Sequence, residues 1–319
     1  MDQAMRKPAL SNWGVFGDDD ECGTVNYLTE EVVLRGSQEI IRGERFTLNL
    51  PLDQPTPRVL PRPYGRPELT KTAHVLDRER HGFVVNDDYV LLATQGSSQW
   101  DAFIHYGVVE DGVDGVFYNG VPRDAVDEAG FAHRNSIAAL AERGIVGRGV
   151  LVDIARHVAG GEDDPLPLDY VISVDEMESC LRSEGVEVEP GDIICFRTGW
   201  TEQYMGSSPE ERKRLMEMVG SDGNPGISGA FAQVAHDQRW GAVAADNLAV
   251  DSVPMVPDTL HSAHTLMLRN LGIPFAELLM LGGLSVAANR DRRWTFFFVA
   301  VPLWIPGGMG SPANAIAIR

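Results

Sequence analysis

Several features that mark specialised protein classes are missing from this chain of 319 residues. It has only three cysteines and no Cys-x-x-Cys pair, which excludes a disulfide framework and a zinc knuckle and is typical of a reducing compartment. Residues 1–12 contain no apolar stretch of the kind found in signal peptides. The longest apolar run, residues 294–305, is interrupted by Pro302 and is too short to cross a bilayer. We therefore expect a cytoplasmic protein with no membrane partner.

Positive charge is also scarce. The chain has 27 Lys and Arg residues against 46 Asp and Glu residues, a formal net charge of −19, and it has no basic run. Binding to a phosphate backbone needs a basic patch, so a nucleic-acid partner is not expected. The sequence contains no P-loop and no Gly-x-Gly-x-x-Gly fingerprint, which argues against a nucleotide cofactor. It also lacks the Gly-x-Ser-x-Gly elbow and the His-Glu-x-x-His motif of zinc proteases.

Short apolar runs alternate with helical patterns along the chain. Helices are predicted over residues 29–42, 136–143, 173–184 and 258–271, and a capping box is predicted at Ser173 and Glu176. Strands are predicted over residues 46–52, 89–94, 149–154, 192–198, 241–245 and 295–303. This alternation predicts an α/β fold with a mixed β-sheet core and flanking helices.

The proline content is concentrated in residues 52–67, which include Pro55, Pro57, Pro61, Pro63 and Pro67. Such a stretch is predicted to be an extended loop or arm, since proline is excluded from helix interiors and central strands. Its flanks share one composition, and no internal repeat is present. We therefore predict a single domain over residues 1–319 with this segment as an excursion from it.

Two segments carry candidate catalytic side chains. In the first, Gln95, Gln99, Asp101 and His105 lie close together after a predicted strand, and Asp101 and His105 would share one face if the segment were helical. The second is the His-x-x-His pair of residues 261 and 264, followed by Glu277. Either cluster could equally belong to a loop without function. Strand-end residues such as Asp153, Asp246 and Arg197 are expected to act as caps or internal ion-pair partners.

The order of these segments resembles the cyclase superfamily, which includes bacterial kynurenine formamidase, isatin hydrolase and trans-dienelactone hydrolase. The similar stretches are residues 12–26, 117–120, 144–153, 191–200, 271–277 and 311–314. The resemblance implies the swivelling β/β/α fold of that family. It also implies a homodimer or higher homo-oligomer.

The family signature is His-x-Gly-Thr-His-x-Asp-x-Pro-x-His, and residues 95–105 of this chain match it in part. Asp101 and His105 fall on the signature aspartate and the last histidine, whereas Gln95 and Gln99 replace the first two histidines. The family implies that these first three polar positions bind a divalent metal. It also implies that the last histidine, with a downstream His and Glu, forms a second metal site or transfers protons. His264 and Glu277 match that downstream pair.

The two glutamines change what this site can bind. An amide oxygen is a weaker and harder ligand than imidazole, so Gln95, Gln99 and Asp101 would suit Mn²⁺, Mg²⁺ or Ca²⁺ better than Zn²⁺. No metal at this position is the alternative. A second metal held by His105, His264 and Glu277, zinc included, stays chemically reasonable.

Three functions follow from this resemblance. The first is a metal-dependent hydrolase of a cyclic or aryl amide or lactone in a small molecule, with His105, His264 and Glu277 as catalytic residues. The second is a metal-free cyclase- or lyase-type enzyme on the same fold, and the third is a non-catalytic small-molecule-binding homologue. Kynurenine formamidase activity itself is disfavoured by the two glutamines. Trp100, Tyr118 and Asn119 are the predicted substrate-binding residues.

Overall fold

The structure of the protein is a computed structural model that describes residues 7–55, 68–72, 87–110, 113–160 and 164–319. The predicted proline-rich excursion therefore lies, from residue 56 onward, outside the described residues. The strands among the described residues are β1 (Arg45–Thr47), β2 (Glu68–Thr72), β3 (Asp87–Leu91), β4 (Gln99–Asp101), β5 (Val108–Glu110), β6 (Val113–Val116), β7 (Ile145–Val152), β8 (Ile193–Phe196), β9 (Ala242–Ala245), β10 (Phe275–Glu277), β11 (Thr295–Ala300), β12 (Gly310–Pro312) and β13 (Ala315–Ile318).

Nine of these strands form one mixed sheet in the order β1-β13-β11-β7-β8-β9-β10-β4-β12. The four strands β7, β8, β9 and β10 are parallel to one another, and antiparallel pairs extend the sheet on both sides. Strands β8 and β9 read Ile-Ile-Cys-Phe and Ala-Val-Ala-Ala, and all their residues are buried. Continuous apolar runs of this kind require cover on both faces of the sheet.

Eight α-helices, one π-helix and several 3₁₀ turns accompany the sheet in the described part of the chain. The α-helices are α1 (Glu30–Ser37), α2 (Ile137–Arg143), α3 (Ile154–Val158), α4 (Val174–Glu184), α5 (Trp200–Gly206), α6 (Pro209–Ser221), α7 (Ala232–Asp237) and α8 (Gly282–Asp291), the π-helix is His264–Leu271, and the 3₁₀ turns are Gly23–Tyr27, Tyr118–Gly120, Arg123–Ala125, Gly229–Phe231 and Thr259–His261. The predicted capping box of α4 is confirmed, with Ser173 and Glu176 bonded to each other's backbone N–H groups. The described helices are too short or too polar to cross a membrane.

One predicted helix is wrong in type. Residues 258–271 form a 3₁₀ turn and a separate π-helix rather than one α-helix, because Ser262 between them is extended, with φ −71° and ψ 161°. The π-helix does end as predicted, at Gly272, whose left-handed φ of 64° suits glycine. His261 and His264 therefore do not share a helix face.

The carboxyl ends of the four parallel strands meet at one edge of the sheet. Asp153 follows β7 and caps α3, and it also accepts a 2.9 Å hydrogen bond from Arg197, which follows β8. Asp246 follows β9 and accepts 2.7 Å hydrogen bonds from the backbone N–H groups of Thr198 and Gly199. The predicted capping and ion-pairing roles of these residues are confirmed, so they stabilise the strand ends.

Candidate active site

Strands β4 and β10 bring two distant segments of the sequence together. Gln99 and Asp101 are separated by one residue, so both side chains leave the same face of β4. The antiparallel register places Gln99 opposite Glu277. Nε2 of Gln99 donates a hydrogen bond to Oε2 of Glu277, and all three side chains are buried. The pairing of these strands therefore positions a carboxylate from each of them.

His264 completes a cluster with Asp101 and Glu277. Its Nε2 lies 3.5 Å from Oδ2 of Asp101 and 3.6 Å from Oε1 of Glu277. One potential ligand atom from each of the three buried residues lies within 4.8 Å of the other two. Three donors this close can share one bound cation.

Asp251 holds the imidazole of His264 from the other side. Oδ2 of Asp251 lies 2.7 Å from Nδ1 of His264 and accepts a 3.0 Å hydrogen bond from its backbone N–H. Oδ1 of Asp251 accepts a 2.6 Å hydrogen bond from the backbone N–H of Ala263. Because Nδ1 is engaged by this carboxylate, Nε2 is the nitrogen that faces Asp101 and Glu277.

The charges of the cluster determine the protonation of His264. Burial alone would lower the pKa of His264, but hydrogen bonds to Asp101 and Asp251, together with the charges of Asp251 and Glu277, raise this pKa well above its ordinary value. Without a bound cation, one imidazolium thus faces three carboxylates. Buried carboxylates in excess of their counter-charges are costly, and a divalent cation would balance them while displacing the imidazole proton.

Gln99 offers a further donor to such a cation. Its Nε2 is engaged by Glu277, whereas its Oε1 is buried and makes no hydrogen bond within the described part of the chain. An imidazole nitrogen, two carboxylates and an amide oxygen form an oxygen-rich donor set. These residues fit a divalent metal ion such as Mn²⁺, Mg²⁺ or Zn²⁺.

His105 lies at the rim of this cluster. It follows β4 in a turn, so the helical arrangement considered for residues 101–105 is not formed. Even so, Nε2 of His105 lies 3.8 Å from Oδ1 of Asp101. The His105 side chain is 26% exposed, compared with 7% for His264. His105 is therefore placed to exchange protons with solvent or with a bound molecule.

Gln95 lies beside β4, next to the edge strand β12. The register places Gly310 of β12 opposite Asp101. A Cβ at Gly310 would lie 2.7 Å from Nε2 of Gln95, so the absence of a side chain there leaves room for the amide. Oε1 of Gln95 accepts a 3.0 Å hydrogen bond from the hydroxyl of Thr94. The role of Gln95 as a metal ligand stays a prediction.

The three predicted substrate-binding residues make contacts within the protein. Trp100 leaves the opposite face of β4 from Asp101, is fully buried, and donates a 3.1 Å hydrogen bond to the carbonyl of Ala313. The hydroxyl of Tyr118, also buried, donates a 2.9 Å hydrogen bond to Asp20. The substrate role of both side chains stays a prediction.

Asn119, the third of these residues, forms hydrogen bonds with the N-terminal segment. Its Nδ2 donates to the carbonyls of Gly17 and Asp18 at 3.0 and 3.1 Å, and its Oδ1 accepts a 2.8 Å hydrogen bond from the N–H of Gly14. With a φ of 58°, Asn119 is also in the left-handed region that asparagine tolerates. Through these contacts Asn119 stabilises a turn. Its role in binding substrate stays a prediction.

A buried carboxylate–imidazole cluster at the end of a mixed sheet defines this molecule as an α/β protein with an enzyme-like site. The Cyclase family model matches residues 46–252, which include the segment from Gln95 to His105 and also Asp251. The chain belongs to the Cyclase family. His264 and Glu277 follow the matched region in sequence and reach the site through the fold.

Solved structures agree with this assignment. A crystal structure described as a novel cyclase has a TM-score of 0.84 and 33% identity, and the match covers 97% of this chain and 100% of that one. Isatin hydrolase A from Ralstonia solanacearum has a TM-score of 0.58 and 17% identity, over 86% of this chain and 92% of that one. A protein described as a potential metal-dependent hydrolase with cyclase activity has a TM-score of 0.50 and 14% identity, over 86% and 98%.

The last two likenesses show the fold alone. The search of curated proteins finds no significant match. The family assignment, whose model describes a putative cyclase, leaves the substrate open.

Sequence reasoning missed Asp251, which contacts His264 directly. No local spacing marks it, because it lies thirteen residues before His264 and belongs to neither candidate segment. Only the backbone turn after β9 brings the two side chains together.

Proposed function

We propose that the protein is a hydrolase that cleaves a cyclic or aryl amide or lactone bond in a small molecule. The observation that carries this proposal is the convergence of Asp101, His264 and Glu277 within 4.8 Å, with His105 at the rim. The names of the neighbours, an isatin hydrolase and a potential metal-dependent hydrolase, support the same class of reaction.

In this proposal Asp101, His264 and Glu277 would hold a divalent cation, with Oε1 of Gln99 as a further donor. When bound, such a cation polarises a carbonyl group and lowers the pKa of water. Gln99 fixes Glu277 through its Nε2, and Asp251 fixes the ring of His264. These contacts hold the donors in place before a ligand binds.

His105 is the residue that moves protons in this proposal. Its partial exposure and its position 3.8 Å from Asp101 allow Nε2 to accept a proton from the attacking water. The same nitrogen then returns the proton to the departing nitrogen or oxygen. Asp101 stabilises the charged imidazolium between the two steps.

A metal-free acid–base enzyme of the cyclase or lyase type is the second candidate. The hydrogen bond from Gln99 to Glu277 favours it, because Nε2 of this amide is engaged by the carboxylate at a position where the family signature has a histidine. His264, whose pKa is raised, would then act as a cationic donor toward the substrate. Metal content separates the two candidates.

The first experiment is elemental analysis of protein purified without chelator and without nickel affinity resin. We expect about one equivalent of Mn or Zn per chain. We also expect hydrolysis of at least one member of a panel of lactones, aryl formamides and isatin-like rings, with loss of that activity after chelation. If folded, active protein contains no stoichiometric metal, the result favours the metal-free candidate.

Glu277→Gln tests the assignment of the site, with Glu178→Gln on the exposed side of α4 as the matched control. The first variant is expected to lose metal and to lower kcat about 10²–10⁴-fold, whereas the control retains both. Equal activity of the two variants would contradict the proposed site.

A further inference from the structure

Asp251 contacts the candidate site directly, although it lies thirteen residues before His264 in the sequence. The residue is fully buried. Its two carboxylate oxygens accept from the backbone N–H groups of Ala263 and His264, and Oδ2 also lies 2.7 Å from Nδ1 of His264. One side chain therefore fixes both the start of the π-helix and the orientation of the imidazole.

A constrained turn aims Asp251 at His264. Oδ1 of Asn247, two residues after β9, accepts a 2.9 Å hydrogen bond from the N–H of Val250. Val250 has a φ of 52°, which is strained for a β-branched residue. Nδ2 of Asn224 donates a 3.2 Å hydrogen bond to the carbonyl of Asp251. Strain of this kind persists only where the surrounding contacts hold it, and it sets the direction in which Asp251 leaves the backbone.

The chain contains an exposed pair with the same local chemistry. Oδ1 of Asp258 accepts from the backbone N–H groups of Leu260 and His261, and it lies 2.9 Å from Nδ1 of His261. The side chains of Asp258 and His261 are 56% and 61% exposed. This pair provides a matched control for Asp251 and His264.

We propose that Asp251 is a positioning residue, which holds His264 with Nδ1 protonated and with Nε2 directed at Asp101 and Glu277. The proposal rests on the proposed function insofar as Nε2 is the atom that binds a cation or faces the substrate. Asp251 acts through His264 and does not touch the reacting atoms.

Asp251→Asn tests this role with little change in volume. The amide oxygen can still accept from a backbone N–H, but an amide N–H directed at Nδ1 favours the tautomer that carries its proton on Nε2. We expect the affinity for Mn²⁺ alone, measured by calorimetry, to fall about 10–100-fold. We expect kcat to fall with little change in KM, and Asp251→Glu to recover part of both losses. Asp258→Asn is expected to match the wild type.

A readout independent of activity is the imidazole Nδ1 proton of His264, observed by ¹⁵N NMR and identified by its loss in His264→Gln. We expect a hydrogen-bonded proton protected from exchange in the wild type and its loss in Asp251→Asn. A wild-type spectrum without this protected proton overturns the proposal, whether or not the variant folds.

Unchanged Mn²⁺ affinity and an unchanged Nδ1 signal in folded Asp251→Asn overturn it as well. If the wild type neither binds metal nor hydrolyses any substrate, the proposed function fails. The NMR signal then still decides the role of Asp251.

Discussion

Two aspartate–histidine pairs in one short stretch of chain have the same chemistry and different surroundings. Asp251 and Asp258 each accept hydrogen bonds from two backbone N–H groups and from Nδ1 of a histidine. The first pair is buried against two further carboxylates, while the second is more than half exposed. Burial and additional charges, rather than the aspartate–histidine pairing itself, therefore create the candidate site.

The electrostatic consequences of the two pairs differ accordingly. For the exposed pair, the hydrogen bond with His261 lowers the pKa of Asp258, and solvent screens the interaction. For the buried pair, burial opposes the charge on His264, yet the surrounding carboxylates raise its pKa well above the ordinary value. The buried imidazole therefore carries a charge that a bound cation would have to replace.

The largest expected contrast is in catalysis. His264→Gln removes the imidazole nitrogen that faces Asp101 and Glu277, and we expect kcat/KM to fall about 10²–10⁴-fold on any substrate found in the panel. His261→Gln makes the same change in the exposed pair and is expected to retain wild-type activity. Circular dichroism and thermal melting verify that both variants fold. A comparable loss of kcat/KM in both variants would contradict the assignment of the site to the buried pair.

Much of the fold follows from local patterns. The apolar runs that became β8 and β9 were predictable because strands covered on both faces exclude polar residues. The capping box of Ser173 and Glu176 was also predictable. The π-helix was not predictable, and the N–H groups at its start are bound by Asp251, which lies outside the segment.

The candidate site was predictable in part. The resemblance to the signature singles out Asp101 and His105, and the downstream match adds His264 and Glu277. Their geometry depends on the register of β4 against β10, which no local pattern specifies. Likewise, the His-x-x-His spacing suggested two equivalent histidines, whereas an extended residue between them sends only His264 into the site.

A second expected contrast is in stability. Asn247 is fully buried, and its side chain bonds to the N–H and the carbonyl of Val250. Asn247→Ala removes the partner of the buried N–H of Val250, whereas the carbonyl of Val250 still accepts from the N–H of Ile227. We therefore expect the free energy of unfolding to fall by about 1–3 kcal/mol. Thr259→Ala, in the 3₁₀ turn of the exposed pair, is expected to change it much less. Urea denaturation measures both free energies. Equal losses would show that the contacts of Asn247 stabilise the fold no more than those of Thr259.

The subtlest expected contrast is the pH dependence of stability in metal-free protein. The pKa of His264 is raised in the folded state, so its stabilising contribution is fully present below the unfolded pKa of about 6.5 and is lost as pH rises through the folded pKa. The stability advantage of the wild type over His264→Gln should therefore shrink as pH rises from about 6. His261→Gln should stay close to the wild type over the same range, because solvent screens the interaction between its exposed side chain and Asp258. Urea denaturation at successive pH values, after chelation and dialysis, measures these differences. An advantage over His264→Gln that grows with pH would mean that His264 is neutral in the metal-free fold, and the electrostatic distinction between the two pairs would then be lost.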